Sequence, residues 1–111
     1  MINQDALDRL VKNNQITKIE KNYIMDMAGM LKTTYNALYT RNQRPHNPST
    51  LSRAIDLSID RTIKLLRHFE KQGIIAKTTC AGKTMYSVNP FLARKRMFVD
   101  KELVSYFNTF E

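Results

Sequence analysis

An apolar pattern over residues 51–75 constrains the fold more than any other feature of this chain. Apolar residues recur at helical spacing before and after a short interruption at 56–58, and Gly73 follows the second run. Glycine after a periodic run is typical of a helix end, because it adopts left-handed backbone angles at little cost. The pattern predicts a helix over about 49–55, a turn, and a second helix over about 61–72.

The residues that follow predict a β-hairpin over about 74–88. Its first half is rich in β-branched side chains, Ala81-Gly82 supplies a turn, and its second half alternates in the manner of a strand. Asn89-Pro90 ends the return strand, because proline has no amide hydrogen to donate to a sheet. The central unit is therefore a helix, a turn, a second helix and a hairpin.

Two helices are predicted before this unit. The first covers about 4–13, where apolar residues share one face. Thr17 and Glu20 have the spacing of a capping box, which begins a second helix over about 18–41. A glycine near its middle costs roughly 1 kcal/mol relative to alanine. We therefore expect a kink, a close helix crossing or a break near 29–33.

The rest of the chain is predicted to hold one loop and one more helix. Two prolines make residues 42–48 a loop. Asp100 caps an amphipathic C-terminal helix over about 100–110. A length of 111 residues is typical of a single domain, so we expect one domain over 1–111, mainly α with a small β-hairpin.

Several kinds of chemistry are not expected. The lone Cys80 cannot close an intrachain disulfide, and with His46 and His68 it gives no metal-ligand spacing. The chain lacks a glycine-rich phosphate loop, so we expect neither a cofactor nor an enzyme. No apolar run approaches the roughly 20 residues of a membrane span, and the first residues lack an apolar signal core. We expect a cytoplasmic protein.

Positive charge is concentrated in the middle of the chain. Residues 1–31 hold four basic and four acidic side chains, residues 32–96 hold thirteen and three, and residues 97–111 hold one and three. The middle segment thus has a net charge of +10 (thirteen minus three), against +8 for the whole chain. This placement favours a polyanionic partner, and a solvated basic surface is the alternative.

The second helix of the central unit has a basic side. With Asp60 as its predicted cap, a helical wheel places these side chains inward: Ile59, Ile63, Leu66, Phe69 and Glu70. Directly opposite lie Arg61, Lys64 and His68, all of which can donate hydrogen bonds. Such a helix fits the major groove of duplex DNA, where an arginine in the first turn can bind guanine O6 and N7. A solvated face is the usual alternative for a basic helix that stands alone.

The hairpin and the first helix of the unit are predicted to add phosphate contacts. Lys77 lies on the first strand and Lys83 lies beside the turn, and hydroxyl groups near the start of the first helix are suitable donors. The full predicted set of DNA-contacting residues is Ser49, Thr50, Arg53, Arg61, Thr62, Lys64, Arg67, His68, Lys71, Lys77, Lys83, Arg94, Lys95 and Arg96.

Residues 70–75 (EKQGII), together with the apolar pattern before them, resemble the winged-helix DNA-binding superfamily, in particular bacterial regulators of the MarR and ArsR type. There a first helix, a turn and a recognition helix end in an E-K-x-G-hydrophobic step that leads into the wing. The resemblance implies a winged helix-turn-helix with extra N- and C-terminal helices. It also implies a sequence-specific double-stranded DNA-binding protein that acts as a dimeric transcriptional repressor.

The exit from the hairpin carries a second resemblance. Residues 86–91 (YSVNPF), followed by a basic patch and an amphipathic end, resemble the C-terminal part of Firmicute plasmid replication proteins of the RepL type. This similarity covers about residues 48–107. It implies an alternative function, a plasmid or phage replication or partition protein that binds repeated origin or centromere sites.

The ends of the chain are predicted to pair two copies. Two copies on a two-fold axis would read a palindrome with half-sites about one helical turn apart. The predicted homodimer residues are Leu7, Leu10, Leu103, Val104, Phe107 and Phe110. An adaptor that binds another protein fits less well, because the outward helix face is poor in acids. An RNA-binding protein also fits less well, because the aromatic residues are not clustered.

Overall fold

A computed structural model describes residues 2–32, 35–80 and 82–94, together with Phe107. Within these residues the chain is a small mixed α/β protein. Its helices are α1 (Gln4–Lys12), α2 (Lys18–Ala28), α3 (Pro48–Ala54) and α4 (Ile59–Lys71), and its strands are β1 (Leu31–Lys32), β2 (Ala37–Leu38), β3 (Ile75–Cys80) and β4 (Lys83–Val88). None of these helices combines the length and the apolarity that a membrane crossing needs. The predicted helix over about 100–110, with Leu103, Val104 and Phe110, lies outside the described residues.

The first two helices begin at side-chain caps. Asn3 Oδ1 accepts a hydrogen bond from Ala6 N at 3.1 Å. Thr17 Oγ1 accepts from Glu20 N at 3.1 Å, and Glu20 Oε1 accepts from Thr17 N at 2.7 Å. These bonds satisfy amide groups that a helix leaves without partners at its first turn. The helix predicted over about 4–13 and the predicted capping box are both confirmed.

The prediction of one helix over 18–41 is wrong beyond residue 28. α2 ends there, close to the predicted break, and the chain turns into β1 and β2. After the turn, Asn36 has a left-handed φ of 52°. Its Nδ2 donates to Val88 O at 2.8 Å and to Ala93 O at 2.7 Å. These buried bonds to distant carbonyl groups hold the segment in a sheet, although its apolar spacing is helical.

The strands form one antiparallel sheet in the order β1-β2-β4-β3. β3 and β4 pair along their whole length, which confirms the predicted hairpin. β2 joins this hairpin through Ala37, which lies opposite Ser87. At the other end of β4, Asn89 Nδ2 donates to Gly73 O at 3.1 Å and Asn89 N donates to Ile74 O at 2.8 Å. The base of the hairpin is thereby tied to the end of α4.

α4 begins two residues before its predicted start, and its cap is Ser58 rather than Asp60. Ser58 Oγ accepts from Arg61 N at 3.2 Å. Asp60 lies instead in the first turn, where the helix dipole favours a carboxylate. At the other end, Gly73 has a φ of 74°, the left-handed conformation that closes many helices. The predicted end of the helix at Gly73 is confirmed.

The core receives side chains from all four described helices and from the sheet. Its largest fully buried side chains are Leu7, Ile24, Met27, Leu31, Leu38, Leu51, Leu66, Phe69, Ile74, Ile75 and Leu92. Leu10 of α1 is buried beside them. Burial removes Leu7 and Leu10 from the predicted dimer surface, because a side chain packed inside one copy is not available to a second.

Candidate nucleic-acid interface

α4 buries a different side from the one that the helical wheel predicts. Its buried side chains are Thr62, Leu65, Leu66 and Phe69. Ile59, predicted to point inward, is 49% exposed, whereas Leu65, which is not among the residues predicted to point inward, is buried. Ile63 and Glu70, also predicted inward, are half-buried. The buried side is therefore rotated by roughly 80° from the predicted one, at about 100° per residue.

Four cations occupy the outward side of α4, and we refer to them together as the basic face: Arg61, Lys64, Arg67 and Lys71. All four side chains are exposed, and Asp60 is the exposed acid of this helix. The ion pairs among the described residues are Lys21–Asp8 and His68–Glu20, and neither involves the basic face. The 13 residues of α4 extend over about 20 Å at a rise of about 1.5 Å per residue. From Arg61 to Lys71 the helix thus presents positive charge over about 15 Å, or about four base pairs.

Two residues of the predicted DNA-contacting set on α4 do not belong to the basic face. Thr62 is fully buried, and its hydroxyl donates to Ser58 O at 2.9 Å. His68 is half-buried against the turn between α1 and α2. Its Nε2 lies 3.0 Å from Gln15 O and 3.6 Å from Glu20 Oε2. Both side chains serve contacts within the protein, so we remove them from the set.

The start of α3 is a second capping box, built on Asn47. Asn47 Oδ1 accepts from Thr50 N at 2.8 Å, and Thr50 Oγ1 accepts from Asn47 N at 2.9 Å and donates to Asn47 O at 3.1 Å. The same hydroxyl lies 2.9 Å from Nδ1 of the buried His46. Burial lowers the pKa of His46 by desolvation. Thr50 is therefore a capping residue, and its hydroxyl is not available to bind a phosphate as predicted.

Two other predicted residues of α3 remain accessible. Arg53 is exposed in the last turn of the helix, and Ser49 is half-buried. The carbonyl of Ser49 accepts a hydrogen bond from Ser52 Oγ at 2.7 Å. Arg53 is thus the cation that α3 offers to a polyanion.

The hairpin of β3 and β4 exposes a polar strip near its turn. Lys77, Thr79, Lys83 and Thr84 are exposed, and Thr79 lies opposite Thr84 in the register. The ammonium of Lys77 lies 5.9 Å from the ring centroid of Tyr86, its cross-strand partner. In contrast, Thr78 is buried and its hydroxyl lies 2.8 Å from Ser87 Oγ. The predicted lysines of the hairpin are therefore accessible.

The last three residues of the predicted set lie at the end of the described chain. Arg94 is half-buried and already interacts with another group of the protein. Lys95 and Arg96 lie outside the described residues.

Within the described part, no three His, Cys, Asp or Glu side chains are placed to hold a metal ion. Comparison with family models, with curated proteins and with solved structures gave no match.

Proposed function

We propose that this protein binds duplex DNA with the basic face of α4 in the major groove. The observation that carries the proposal is the basic face itself, four exposed cations on one side of a capped helix without an ion-pair partner among the described residues. An α-helix with its side chains is roughly 10–12 Å wide and the major groove is about 12 Å wide, so the two are matched in size.

We interpret α3, α4 and the hairpin as a winged helix-turn-helix. α3 is 7 residues long and leads into α4 through a turn in which Asp56 has a φ of 57°. In this arrangement the first helix supports the second, and the hairpin contacts the backbone beside the groove. Arg53, Lys77 and Lys83 supply phosphate contacts that fix the register. Arg61, in the first turn of α4, reads a base edge.

We further propose that the protein is a transcriptional repressor that acts as a homodimer. A palindromic site would then match the two-fold axis of the pair. With Leu7 and Leu10 assigned to the core, the pairing surface rests on the C-terminal residues Leu103, Val104, Phe107 and Phe110. Phe107 is half-buried. Light scattering tests this part, because Phe107→Asp is expected to give a folded monomer, whereas a variant that stays dimeric contradicts the pairing role.

The DNA-binding proposal is tested by selection of bound sites from random duplex DNA with the purified chain. We expect one enriched sequence, and affinity that falls steeply with salt because bound phosphates release counterions. A spaced palindrome supports the repressor, whereas an array of direct repeats supports the replication or partition protein. A chain that enriches no sequence and binds no duplex contradicts the proposal.

A further inference from the structure

We propose that the turn Thr40–Arg44, here called the arginine turn, is a third DNA-contact element that binds duplex phosphates with Arg41 and Arg44. It acts outside the stretch of DNA that α4 and the hairpin contact. The inference rests on the proposed function and adds to it a binding element that neither of those two parts provides.

The arginine turn has a fixed backbone. Gln43 N donates to Thr40 O at 3.1 Å, Thr40 N donates to Arg44 O at 2.7 Å, and Gln43 has a left-handed φ of 61°. This combination is typical of a hairpin loop in which a type I turn is followed by one left-handed residue. A bridge between Tyr39 and Pro45 closes the loop. The two arginines therefore extend from a backbone that is already ordered, and binding costs less conformational entropy.

The charge of this turn is not compensated nearby in the sequence. Arg41, Asn42, Gln43 and Arg44 are all exposed. The chain contains no Asp or Glu between Asp26 and Asp56, and the two ion pairs of the described residues involve neither arginine. Two exposed guanidinium groups on either side of two amide side chains offer only donors and neutral amides to a partner. Phosphate oxygens match these donors, and guanidinium binds them in a bidentate manner.

The sheet register places the arginine turn beside the other proposed DNA contacts. β2 runs antiparallel to β4, so the residues that follow β2 lie toward the end of the sheet at which β4 begins. That end carries Gly82 and Lys83. In the other direction, Asn47, the cap of α3, comes three positions after Arg44 in the chain, a span of at most about 11 Å when extended. The turn thus lies toward the hairpin-tip end of the sheet, on the β2 side of β4 and away from β3, and it precedes the helix-turn-helix in the chain.

The test uses the full chain and two duplexes, the minimal selected site and the same site extended by about ten base pairs on each side. The variant is Arg41→Gln with Arg44→Gln. The matched control is Arg9→Gln with Lys12→Gln, which removes two exposed cations from α1 instead. Salt dependence of affinity is the readout, because each lost phosphate contact lowers the slope of log K against log salt by about 0.9.

On the extended duplex, we expect the slope of the Arg41/Arg44 variant to fall by about two units and that of the control to stay unchanged. On the minimal duplex, we expect the wild type and the Arg41/Arg44 variant to have the same slope. If the wild type binds DNA and the Arg41/Arg44 variant keeps the full slope on both duplexes, the third contact is overturned and the proposed function stands. A wild type that binds neither duplex overturns both.

Discussion

α2 and α4 are built by the same local rules and present different surfaces. Both begin at a hydroxyl cap, Thr17 for α2 and Ser58 for α4, and both bury one side in the same core. The exposed residues of α2 are of mixed character: Lys18, Ile19, Asn22, Asp26. The basic face of α4 has four cations beside the single exposed Asp60. Capping and amphipathicity therefore explain why each helix forms. The two helices differ in the charge of their exposed side chains, which is what a partner would contact.

The cations of the two regions also differ in what they contact. Lys21 of α2 donates to Asp8 of α1 at 2.5 Å, so a cation of the N-terminal pair joins the two helices. The cations of the basic face have no such contact within the described chain. Lys21 therefore serves the contact between α1 and α2, whereas the positive charge on α4 is free to bind a polyanion.

The largest effect is expected from Phe69→Ala, which removes a fully buried ring from α4. The lost transfer energy and the cavity should lower the free energy of unfolding by about 3–5 kcal/mol, measured by urea unfolding. Ile19→Ala on α2 is the control, because Ile19 is 66% exposed and its truncation should cost less than about 0.5 kcal/mol. Equal costs at the two positions would contradict the assignment of the buried side of α4.

Local signals in the sequence predict the helices and strands whose ends are marked by nearby residues. Apolar spacing predicts α1, α3 and α4, and Gly73 marks the end of α4, whereas the cap predicted for α4, Asp60, differs from the observed cap, Ser58. β-branched residues in the first half, a turn and an alternating second half predict the hairpin. β1 and β2 have 2 residues each and no strong local signal. They depend on Asn36, whose side chain bonds carbonyl groups 52 and 57 residues away. Such pairing is not readable from a helical wheel.

The sequence predicts the cations of the candidate site, but it does not predict which side of α4 is buried. The wheel treats Ile59 and Ile63 as inward because they are apolar, although Ile59 lies in the first turn and is 49% exposed. The rotation of α4 is set by what it packs against, including the turn that holds His68 through Gln15 O. The same error places Thr62 among the predicted DNA contacts, since the rotation of α4 decides whether Thr62 is buried. The cations Arg61, Lys64, Arg67 and Lys71 stay exposed despite this error, since they lie within an arc of about 120° on the side of the helix away from the buried residues.

The next largest effect is expected from reversal of two charges at the centre of the basic face. Lys64→Glu with Arg67→Glu should lower the affinity for duplex DNA about 100-fold, or roughly 1.4 kcal/mol at each position. Lys18→Glu on α2 reverses one exposed charge that does not belong to this face and should alter the affinity by less than about twofold. Fluorescence anisotropy with a labelled duplex measures both. If the two proteins lose affinity equally, net charge rather than the basic face drives binding.

A smaller and more specific effect is expected from Arg61→Ala. If Arg61 reads a base, its removal should cost about 1–3 kcal/mol and relax the preference at one position of the site. Arg53→Ala on α3 is the matched change at a proposed phosphate contact, and it should weaken binding to every sequence alike. A panel of duplexes with single base-pair changes distinguishes the two outcomes. An equal loss for Arg61→Ala on all sequences would assign Arg61 to the backbone.

The smallest effect concerns pH and compares the caps of α2 and α3. Thr17 and Glu20 form an exposed box, whereas the box of Asn47 and Thr50 is joined to His46, which is 6% exposed. Desolvation lowers the pKa of His46 in the folded chain, whereas the unfolded chain keeps a value of about 6.5. Below that pH, unfolding takes up a proton at His46. The free energy of unfolding therefore falls as the pH falls below about 6.5, toward the folded pKa, and this contribution is constant at higher pH.

Urea unfolding of the wild type and of His46→Gln at about pH 7.5 and about pH 5 isolates this contribution. The wild type should lose more stability on acidification than His46→Gln, because glutamine has no proton to take up. His68→Gln changes the half-buried histidine between α4 and the turn after α1 and keeps His46, so it should retain the part of the decline that His46 causes. If His46→Gln declines as steeply as the wild type, acid destabilisation arises elsewhere, and the buried cap of α3 does not differ from the exposed cap of α2 in its response to pH.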